Sequence, residues 1–556
     1  MTQQKTPLDM LFHWAAERPD TPWLFQPVNG EWQPITWGEA ADQVRRMAAA
    51  LQGMGLEKGS SVAITGRNTA HWFLADLAIA MAEMVSVGLY PKQAPAHTTY
   101  ILEHCACKAL FLGPMMDMDE FLGAVPDGIR MIRMPYDDVP AQELDWNDLI
   151  VANAPKQEHR TPDDDELLTL VYTSGTTGNP KGVMTTYGNM IFAARGLMEA
   201  LPPQGEERFF SYLPLAHAFE RGAVELSSIY FGAQVYFLEH IDKLGSQLAE
   251  VAPTRFFGVP LVYGRIQAGV LKQIPQKKLD RLLSIPIVRG IVRRKILTAM
   301  GLQNARMCFA GAAPTPKPLL EWFEKLGVPL FQGYGMTENA IYATTNRPGA
   351  NRIGSVGKAM PGAQMKLSEE GEILFKHPAV MKGYYKEPEK TAETFTEDGW
   401  LRTGDKGTID ADGYLYITGR VKDIFKTLKG KYVAPAPIEG ALSRNTYIDQ
   451  LCMVGMNLKQ PVMLVTLQAD ARALPREDVG RSLVETMEAV NADLEAHEVI
   501  AKLIVVEDEW SIDNGLMTPT MKVKRAEIEK RYDNLIETAA ADRGRRIVWE
   551  AEEAAA

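Results

Sequence analysis

An apolar run that leads directly into a segment rich in glycine and threonine constrains this chain more than any other feature. Residues 167–171 are mostly apolar and are typical of a buried strand. Residues 172–184 then read Tyr-Thr-Ser-Gly-Thr-Thr-Gly-Asn-Pro-Lys-Gly-Val-Met. Glycines let backbone N–H groups approach an anion, hydroxyl groups add donors, and Lys181 adds a positive charge. The pattern predicts a phosphate-binding loop between this strand and a helix at 186–197.

Two familiar nucleotide-binding patterns do not match this segment. A Walker A loop has serine or threonine directly after its lysine, whereas Gly182 follows Lys181 here. No Gly-x-Gly-x-x-Gly pattern follows a predicted strand. A surface turn between a strand and a helix is the alternative for a short loop of this kind. The length of the pattern, thirteen residues, favours the phosphate-binding interpretation.

Length, charge and cysteine usage limit the class of protein. With 556 residues the chain exceeds the usual size of one hydrophobic core, so we expect at least two domains. Its formal net charge of −11 argues against nucleic-acid binding, which needs a basic surface. No signal-peptide pattern begins the sequence, and the most apolar early run, 75–90, is too short to span a bilayer, so we expect a soluble cytoplasmic protein. The cysteines are too few for a disulfide framework and are expected to be buried thiols: Cys105, Cys107, Cys308 and Cys452.

Residues 1–165 alternate between helical and strand patterns. A hairpin is predicted around Asn29-Gly30, a long helix at 36–54 and a buried strand at 84–89. Such alternation is typical of an α/β domain with a largely parallel sheet.

The segment 172–184 resembles the phosphate-binding signature of the adenylate-forming superfamily, which includes acyl-CoA synthetases, peptide-synthetase adenylation domains and luciferases. Six blocks similar to the family's motifs occur in family order between residues 172 and 525. The resemblance implies an α/β fold with a large N-terminal domain of α/β layers, residues 1–419, that holds the ATP and acyl sites. It also implies a small mobile C-terminal α+β domain, residues 420–556, that carries the catalytic lysine, with Lys422 at the hinge.

The family motifs imply a nucleotide site assembled from several blocks. In 332–338, Tyr334 would stack on adenine, Thr337 would bind a phosphate oxygen and Glu338 would hold Mg²⁺, which prefers oxygen ligands. Asp405 would accept hydrogen bonds from the ribose hydroxyls. The residues that the resemblance assigns to nucleotide or coenzyme A binding are Thr173, Ser174, Gly175, Thr176, Thr177, Lys181, Gly311, Ala312, Ala313, Gly333, Tyr334, Asp405, Arg420 and Gly430.

Two further residues are assigned to the reaction itself. His217 lies in a block that lines the acyl carboxylate site in long-chain acyl-CoA synthetases, where a neutral imidazole can donate a hydrogen bond. A packed or solvated histidine is the alternative. Lys522 falls where the family's catalytic lysine lies, and a basic turn before a helix is the alternative there. The neighbouring Lys524 is the other residue that an alignment would select. The resemblance thus assigns catalytic roles to Lys522, Thr337, Glu338 and His217.

The reaction implied is ATP-dependent activation of a fatty acid, through an acyl-adenylate, to an acyl-CoA thioester, with release of AMP and pyrophosphate. ATP, Mg²⁺ and coenzyme A are the implied cofactors. The forms of residues 214–221 and 516–525 look like those of long-chain fatty acyl-CoA synthetases. An acyl- or aryl-AMP ligase that loads another acceptor, such as a carrier protein, remains an alternative. So does a non-catalytic lipid or nucleotide sensor.

Residues 271–299 are basic, although the whole chain is acidic. One interpretation is peripheral attachment to an anionic membrane. The other is a solvated helix with an inward apolar face. The sequence also leaves the formation of a homodimer open. Leucine and isoleucine lie between the eight basic residues, which accompany only Asp280: Lys272, Lys277, Lys278, Arg281, Arg289, Arg293, Arg294 and Lys295.

Overall fold

The computed structural model describes residues 5–173, 179–518, 522–542 and 544–553. In residues 5–173 the strands are β1 (Pro22–Val28), β2 (Glu31–Thr36), β3 (Ser61–Thr65), β4 (Val85–Leu89), β5 (Ala109–Leu112), β6 (Arg130–Arg133), β7 (Leu144–Asp145) and β8 (Leu167–Thr173). The helices there are α1 (Pro7–Glu17), α2 (Trp37–Gly53), α3 (Ala70–Met81), α4 (Pro95–His104), α5 (Met118–Gly123) and α6 (Trp146–Ala152).

Residues 179–420 add the strands that complete the larger part of the fold. These are β9 (Lys181–Thr186), β10 (Arg208–Ser211), β11 (Gln234–Phe237), β12 (Arg255–Gly258), β13 (Met307–Ala310), β14 (Leu330–Tyr334), β15 (Thr344–Thr345), β16 (Lys358–Ala359), β17 (Gln364–Leu367), β18 (Glu372–Lys376), β19 (Gly383–Tyr384), β20 (Leu401–Ile409) and β21 (Leu415–Arg420). The helices are α7 (Tyr187–Ala200), α8 (Ala218–Glu220), α9 (Ser227–Phe231), α10 (Leu244–Val251), α11 (Pro260–Gln273), α12 (Gln276–Ser284), α13 (Pro286–Ala299), α14 (Lys317–Lys325) and α15 (Pro388–Thr394). A π-helical segment (Arg221–Leu226) and 3₁₀ turns (Ile241–Lys243 and Thr337–Asn339) complete the set.

The remaining residues form a smaller group of elements. Its strands are β22 (Phe425–Lys426), β23 (Tyr432–Val433), β24 (Ile448–Val454), β25 (Val462–Leu467), β26 (Lys502–Val505) and β27 (Ile547–Trp549). Its helices are α16 (Pro435–Leu442), α17 (Ala469–Arg472), α18 (Arg476–Asn491), α19 (Arg525–Arg531), α20 (Asp533–Ala541) and α21 (Glu550–Glu553).

An eight-stranded sheet in the order β19-β9-β8-β4-β3-β5-β6-β7 forms the centre of the fold. The strands from β8 to β7 are parallel, whereas β9 and β19 join one edge in antiparallel pairing. Strands β3, β4 and β5 are buried along their whole length, because helices cover both faces of a parallel sheet. On α3 every residue except His71 is buried. The predicted α/β class is therefore confirmed.

Smaller sheets surround this centre. One has the order β10-β11-β1-β2, a second β12-β13-β14-β15-β16, and a third, antiparallel, β17-β18-β20-β21. The later elements form the sheet β24-β25-β26-β27 and the pair β22-β23. The boundary predicted at 419/420 stays a prediction; the structure has Arg420 as the last residue of β21.

Local sequence signals explain several of these elements. The β1–β2 hairpin turns at Asn29 and Gly30, which have φ of 52° and 81°, the left-handed values that a tight hairpin requires. Helix α2 begins after Thr36, whose hydroxyl accepts from Glu39 N–H while the Glu39 carboxylate accepts from Thr36 N–H. All four cysteines are buried and unpaired, as predicted. Within the described ranges, no helix combines the length and apolar character needed to cross a membrane.

The two groups of elements touch through exposed ion pairs. Lys92, which precedes α4, has its Nζ 2.9 Å from Asp513 Oδ2. Lys272, near the end of α11, pairs with Asp470 on α17. All four side chains are at least half exposed.

Gly196 tests the packing of α7. A Cβ added at Gly196 would stand 1.6 Å from the hydroxyl oxygen of Tyr342, which itself donates to the Pro361 carbonyl at 2.8 Å. We expect Gly196→Ala to lower the free energy of unfolding by about 1–3 kcal/mol, measured by chemical denaturation. Gly269→Ala is the matched control, because Gly269 is also inside a helix and has nothing within 4 Å of its added Cβ. Gly269→Ala should raise the free energy of unfolding by about 0.5–1 kcal/mol. Equal effects of the two substitutions would contradict the close contact between Gly196 and Tyr342.

Candidate active site

The predicted phosphate loop joins two antiparallel strands. Thr173 at the end of β8 pairs with Lys181 at the start of β9. The prediction that the loop leads directly into a helix is wrong. Strand β9 follows the loop, and α7 begins only after β9, with Thr186 as its N-cap. Four predicted site residues lie outside the described residues: Ser174, Gly175, Thr176 and Thr177.

Tyr384 connects the loop lysine with the predicted metal-binding carboxylate. Lys181 Nζ lies 4.8 Å from the centroid of the Tyr384 ring. The Tyr384 hydroxyl donates to Glu338 Oε1 at 2.7 Å. Glu338 is 9% exposed and lies in the 3₁₀ turn that begins at Thr337. Tyr384 was not predicted from the sequence; its signal is the aromatic pair of Gly383-Tyr-Tyr, and β19 places Tyr384 beside β9.

The surroundings of Glu338 fit a metal ion that arrives with a nucleotide. No cluster of three or more His, Cys, Asp or Glu side chains suited to a metal occurs in the part of the chain that the structure describes. A Mg²⁺ ion commonly uses one or two protein carboxylates and completes its shell with substrate phosphates and water. An ionised carboxylate with one oxygen hydrogen-bonded to Tyr384 retains capacity for such an ion.

Asp405 is held by two donors. Its Oδ2 accepts from the Tyr334 hydroxyl at 2.5 Å, and its Oδ1 accepts from Arg420 Nε at 2.9 Å. Asp405 and Arg420 face each other across β20 and β21, so the sheet register itself brings them together. Burial, and then the Asp405 charge, raise the pKa of Tyr334, so the phenol remains a donor. The Tyr334 ring is thereby fixed by a contact that motif order alone does not predict.

The small residues predicted beside the nucleotide follow parallel strands. Strands β12, β13 and β14 are parallel neighbours, so their carboxyl ends lie at one edge of their sheet. Gly311 follows β13 directly, and a Cβ there would contact the Phe219 ring at 3.4 Å. Ala312 has a φ of 63°, a left-handed value that is uncommon for alanine, and is exposed with Ala313. Gly333 lies within β14. This edge leaves an accessible backbone surface next to the helix that follows His217.

His217 is a neutral donor. It caps α8, where its Nδ1 accepts from Phe219 N–H at 3.1 Å. Because Nδ1 is the acceptor, the ring proton is on Nε2. Burial, reinforced by the Lys522 charge, lowers the pKa of His217 to about 4. The Nε2–H group can therefore donate to an acid oxygen without adding a fixed charge.

The charge of Lys522 interacts with several residues predicted for the site, namely Arg420, Asp405, Glu338 and His217. Thr518 closes its turn: Thr518 N–H donates to the Lys522 carbonyl at 2.8 Å, and Lys522 N–H donates to Thr518 Oγ1 at 3.1 Å. The side chain of Lys522 keeps an exposed surface. Surrounding protein nevertheless lowers the pKa of Lys522; the Arg420 charge also lowers it, whereas Asp405 and Glu338 oppose the shift.

Three other sequence assignments lie outside this group. The charge of Lys524 interacts with His97: burial, and then this charge, lower the pKa of His97. Gly430 is exposed in the loop between β22 and β23, with a φ of 74° that favours glycine. Lys422 is exposed in the turn after β21, where Asp423 N–H donates to the Arg420 carbonyl at 3.1 Å.

Family models match most of the chain. The model described as AMP-binding enzyme matches residues 11–385. The model described as AMP-binding enzyme C-terminal domain matches residues 422–543. The chain belongs to the AMP-binding enzyme family. The predictions of an adenylate-forming enzyme and of its α/β fold are therefore confirmed.

Individual relatives agree with this assignment. A long-chain-fatty-acid–CoA ligase, ACSBG2 of Gallus gallus, is 30% identical over 93% of this chain and 79% of its own length. The long-chain-fatty-acid–CoA ligase FadD15 of Mycobacterium bovis is 27% identical over 95% and 96% of the two chains. The crystal structure of the anthranilate CoA ligase AuaEII with anthranoyl-AMP has a TM-score of 0.79 at 23% identity and covers 96% and 98% of the chains. At that identity the last similarity shows the fold alone.

Tyr384→Phe tests the contact with Glu338. The change keeps the ring over Lys181 and removes the hydroxyl that donates to a buried carboxylate. We expect the free energy of unfolding to fall by about 1–3 kcal/mol in chemical denaturation. Tyr385→Phe is the matched control, because the Tyr385 ring stands edge-on to His104 at 5.7 Å and contributes through its ring. That variant should stay within about 0.5 kcal/mol of the parent; equal losses would contradict the Glu338 contact.

Proposed function

We propose that this enzyme converts a long-chain fatty acid to its coenzyme A thioester through an acyl-adenylate, at the expense of ATP. The observation that supports the proposal is a set of contacts between distant parts of the chain: Tyr384 links Lys181 to Glu338, and Asp405 accepts from Tyr334 and Arg420. The charge of Lys522 interacts with both carboxylates and with His217. Cations and a neutral donor beside carboxylates suit a reaction between an anionic acid and a nucleoside triphosphate. The relatives named as long-chain-fatty-acid–CoA ligases support the substrate class.

In the first half of the reaction an oxygen of the fatty acid carboxylate attacks the α-phosphorus of ATP, and the bond to pyrophosphate breaks. Both reactants are anionic, so positioning and charge neutralisation carry most of the catalysis. The Nε2–H group of His217 orients the carboxylate by donating to it. Lys181 and Lys522 place positive charge beside the phosphates. Glu338 would hold Mg²⁺, which supplies further charge neutralisation when bound.

The remaining predicted roles belong to the nucleotide. Asp405, already fixed by Tyr334 and Arg420, retains acceptor capacity for the ribose hydroxyls. Thr337 lies beside Glu338 in the same 3₁₀ turn and is suited to donate to a phosphate oxygen. The backbone at Gly311, Ala312, Ala313 and Gly333 offers a narrow surface for a flat base, and the side chain of Thr173 completes the phosphate contacts.

In the second half the coenzyme A sulfur attacks the acyl carbon and gives up its proton to solvent, while the acyl C–O bond to phosphate breaks and AMP leaves with its electrons. The arrangement of the described residues suits the first half, because Lys522 lies in the cleft. Lysine and thiol cannot occupy one place, so we propose rotation of residues 420–556 about Lys422. That rotation would bring the loop of Gly430 toward coenzyme A.

Lys522→Ala tests the first half separately from the second. We expect acid-dependent ATP–pyrophosphate exchange to fall by about 10²-fold or more, because a charge beside the reacting phosphates is lost. Thioester formation from supplied acyl-adenylate should persist, because that step does not use the lysine. Lys524→Ala is the matched control and should keep exchange within about threefold of the parent. Equal loss in both halves would refute the catalytic role of Lys522.

A series of acids, tested with coenzyme A and with a carrier protein as acceptor, would identify the substrate and the acceptor.

We also propose that α12 and α13 attach the enzyme to anionic membranes. Ile287 and Ile291 are 84% and 59% exposed and lie one helical turn apart, while Arg294 and Lys295 continue the same helix face. Aliphatic side chains can enter the lipid boundary while basic ones contact headgroups, each contributing about 1 kcal/mol. Two residues of the basic stretch are otherwise engaged, since Lys272 pairs with Asp470 and Arg293 donates to a backbone carbonyl. Homodimer formation stays a prediction.

Vesicle sedimentation tests this attachment. The parent protein should bind anionic vesicles at low salt and release them as the salt concentration rises, whereas neutral vesicles should bind weakly. Changing Ile287 and Ile291 to serine, with Arg294 and Lys295 to glutamine, should abolish binding. Val151→Ser, at a residue 83% exposed elsewhere, is the control and should bind like the parent. Absence of binding by the parent at low salt would reject the proposal.

A further inference from the structure

A buried arginine ties the segment that follows His217 to the central sheet. Arg221 begins the π-helical segment one turn after His217, whose carbonyl accepts the Arg221 N–H at 3.2 Å. The side chain of Arg221 is 5% exposed. It donates to Asp76 on α3, to Ser86 Oγ on β4 at 2.7 Å and to Thr169 Oγ1 on β8 at 2.5 Å. One side chain therefore fixes the His217 segment to three elements of the central layer.

The contact with Thr169 reaches the strand that leads into the phosphate loop. Thr169 lies four residues before Thr173, the last residue of β8. The Thr169 hydroxyl donates to the Ser86 carbonyl at 2.8 Å, so its lone pairs are directed toward Arg221. Arg221 thus joins the element that carries His217 to the strand that carries the loop.

Two buried carboxyl groups, Asp76 and Glu225, lie beside Arg221. Glu225 is fully buried, with Oε2 3.8 Å from Arg221 Nε, and neither of its oxygens has a hydrogen-bond partner among the described residues. Burial, and then the Asp76 charge, raise the pKa of Glu225 well above its ordinary value, which favours the neutral form of this carboxyl. Asp76 is the carboxyl that accepts a hydrogen bond from Arg221. Removing either member alone would leave a charge buried without a partner, at high cost.

The π-helical segment also touches the loop of Glu338. A Cβ added at Gly222 would stand 2.9 Å from Ile341 Cδ1, so the two segments pack closely. Ile341 follows the 3₁₀ turn of Glu338 and has a φ of 54°, an uncommon value for a β-branched residue. Insertions of π-helix frequently accompany functional sites. The segment of residues 217–226 is therefore held from both sides of the cleft.

We propose that Arg221 is a positioning residue that sets the separation between an acid bound at His217 and the phosphates bound beside Thr173 and Lys181. This inference rests on the proposed function. A misplacement of about 1 Å between reacting groups costs about 100-fold in rate. Once the acyl-adenylate exists, a covalent bond fixes the separation, so thioester formation from supplied adenylate does not depend on Arg221.

The test removes the charges of Arg221 and Asp76 together, so that neither is left without the other. Arg221→Gln combined with Asp76→Asn, and separately Thr169→Val, should lower kcat of acid-dependent ATP–pyrophosphate exchange by about 10- to 100-fold. The KM for ATP and the rate of thioester formation from supplied acyl-adenylate should each change by less than about threefold. Thr169→Ser keeps the hydroxyl and should restore exchange to near the parent rate. Glu225→Gln keeps the shape of a side chain that makes no hydrogen bond among the described residues, so it is the control for packing and should behave like the parent.

The outcomes separate this inference from the proposed function. Parent-like exchange in the folded double variant and in Thr169→Val would overturn the role of Arg221. Equal losses in both halves of the reaction would assign Arg221 to folding alone and would overturn it too. If the double variant does not fold, the comparison of Thr169→Val with Thr169→Ser decides. A parent enzyme without acid-dependent exchange would instead refute the proposed function.

Discussion

The candidate active site depends on the balance between three cations and two buried carboxylates. Arg420 pairs with Asp405, Lys181 lies over the Tyr384 ring, and the charge of Lys522 interacts with Asp405 and Glu338. Each carboxylate accepts a hydrogen bond from a tyrosine hydroxyl. The tyrosines fix the carboxylates, and the carboxylates in turn allow like charges to gather in one cleft. Three positive charges against two negative ones leave the group positive. A bound triphosphate reverses that sign, so the cleft is electrostatically incomplete without an anionic partner.

Much of the fold follows from local sequence, but the edge of the central sheet does not. The buried strand at 167–171, the hairpin at Asn29-Gly30 and the long helix after Thr36 were predicted because each has a local signal. Strand β9 was missed, because Gly182 and two threonines give it weak alternation. Its stability comes from pairing with β8 and β19, and β19 lies about two hundred residues away in sequence. Contacts of that kind leave no periodic pattern.

The same division applies to the site. Motif order named the residues, whereas the structure supplied their partners: Tyr384 for Glu338, and Arg420 with Tyr334 for Asp405. Lys522 and Lys524 are two positions apart and cannot be distinguished by residue type. They differ in surroundings, because the surrounding protein and the Arg420 charge lower the pKa of Lys522, whereas Asp405 and Glu338 oppose that shift. Likewise the eight cations of residues 272–295 are equivalent in sequence, although some are engaged within the protein and others face solvent.

The ion pairs Lys92–Asp513 and Lys272–Asp470 carry a consequence for domain motion. All four side chains are at least half exposed, and pairs of this kind stabilise a contact by less than about 1 kcal/mol each. Such pairs would oppose the proposed rotation of residues 420–556 only weakly, and dissolved salt ions screen them further. Ionic strength would therefore influence that rotation through these two contacts. It would do so without changing the residues proposed to bind the nucleotide.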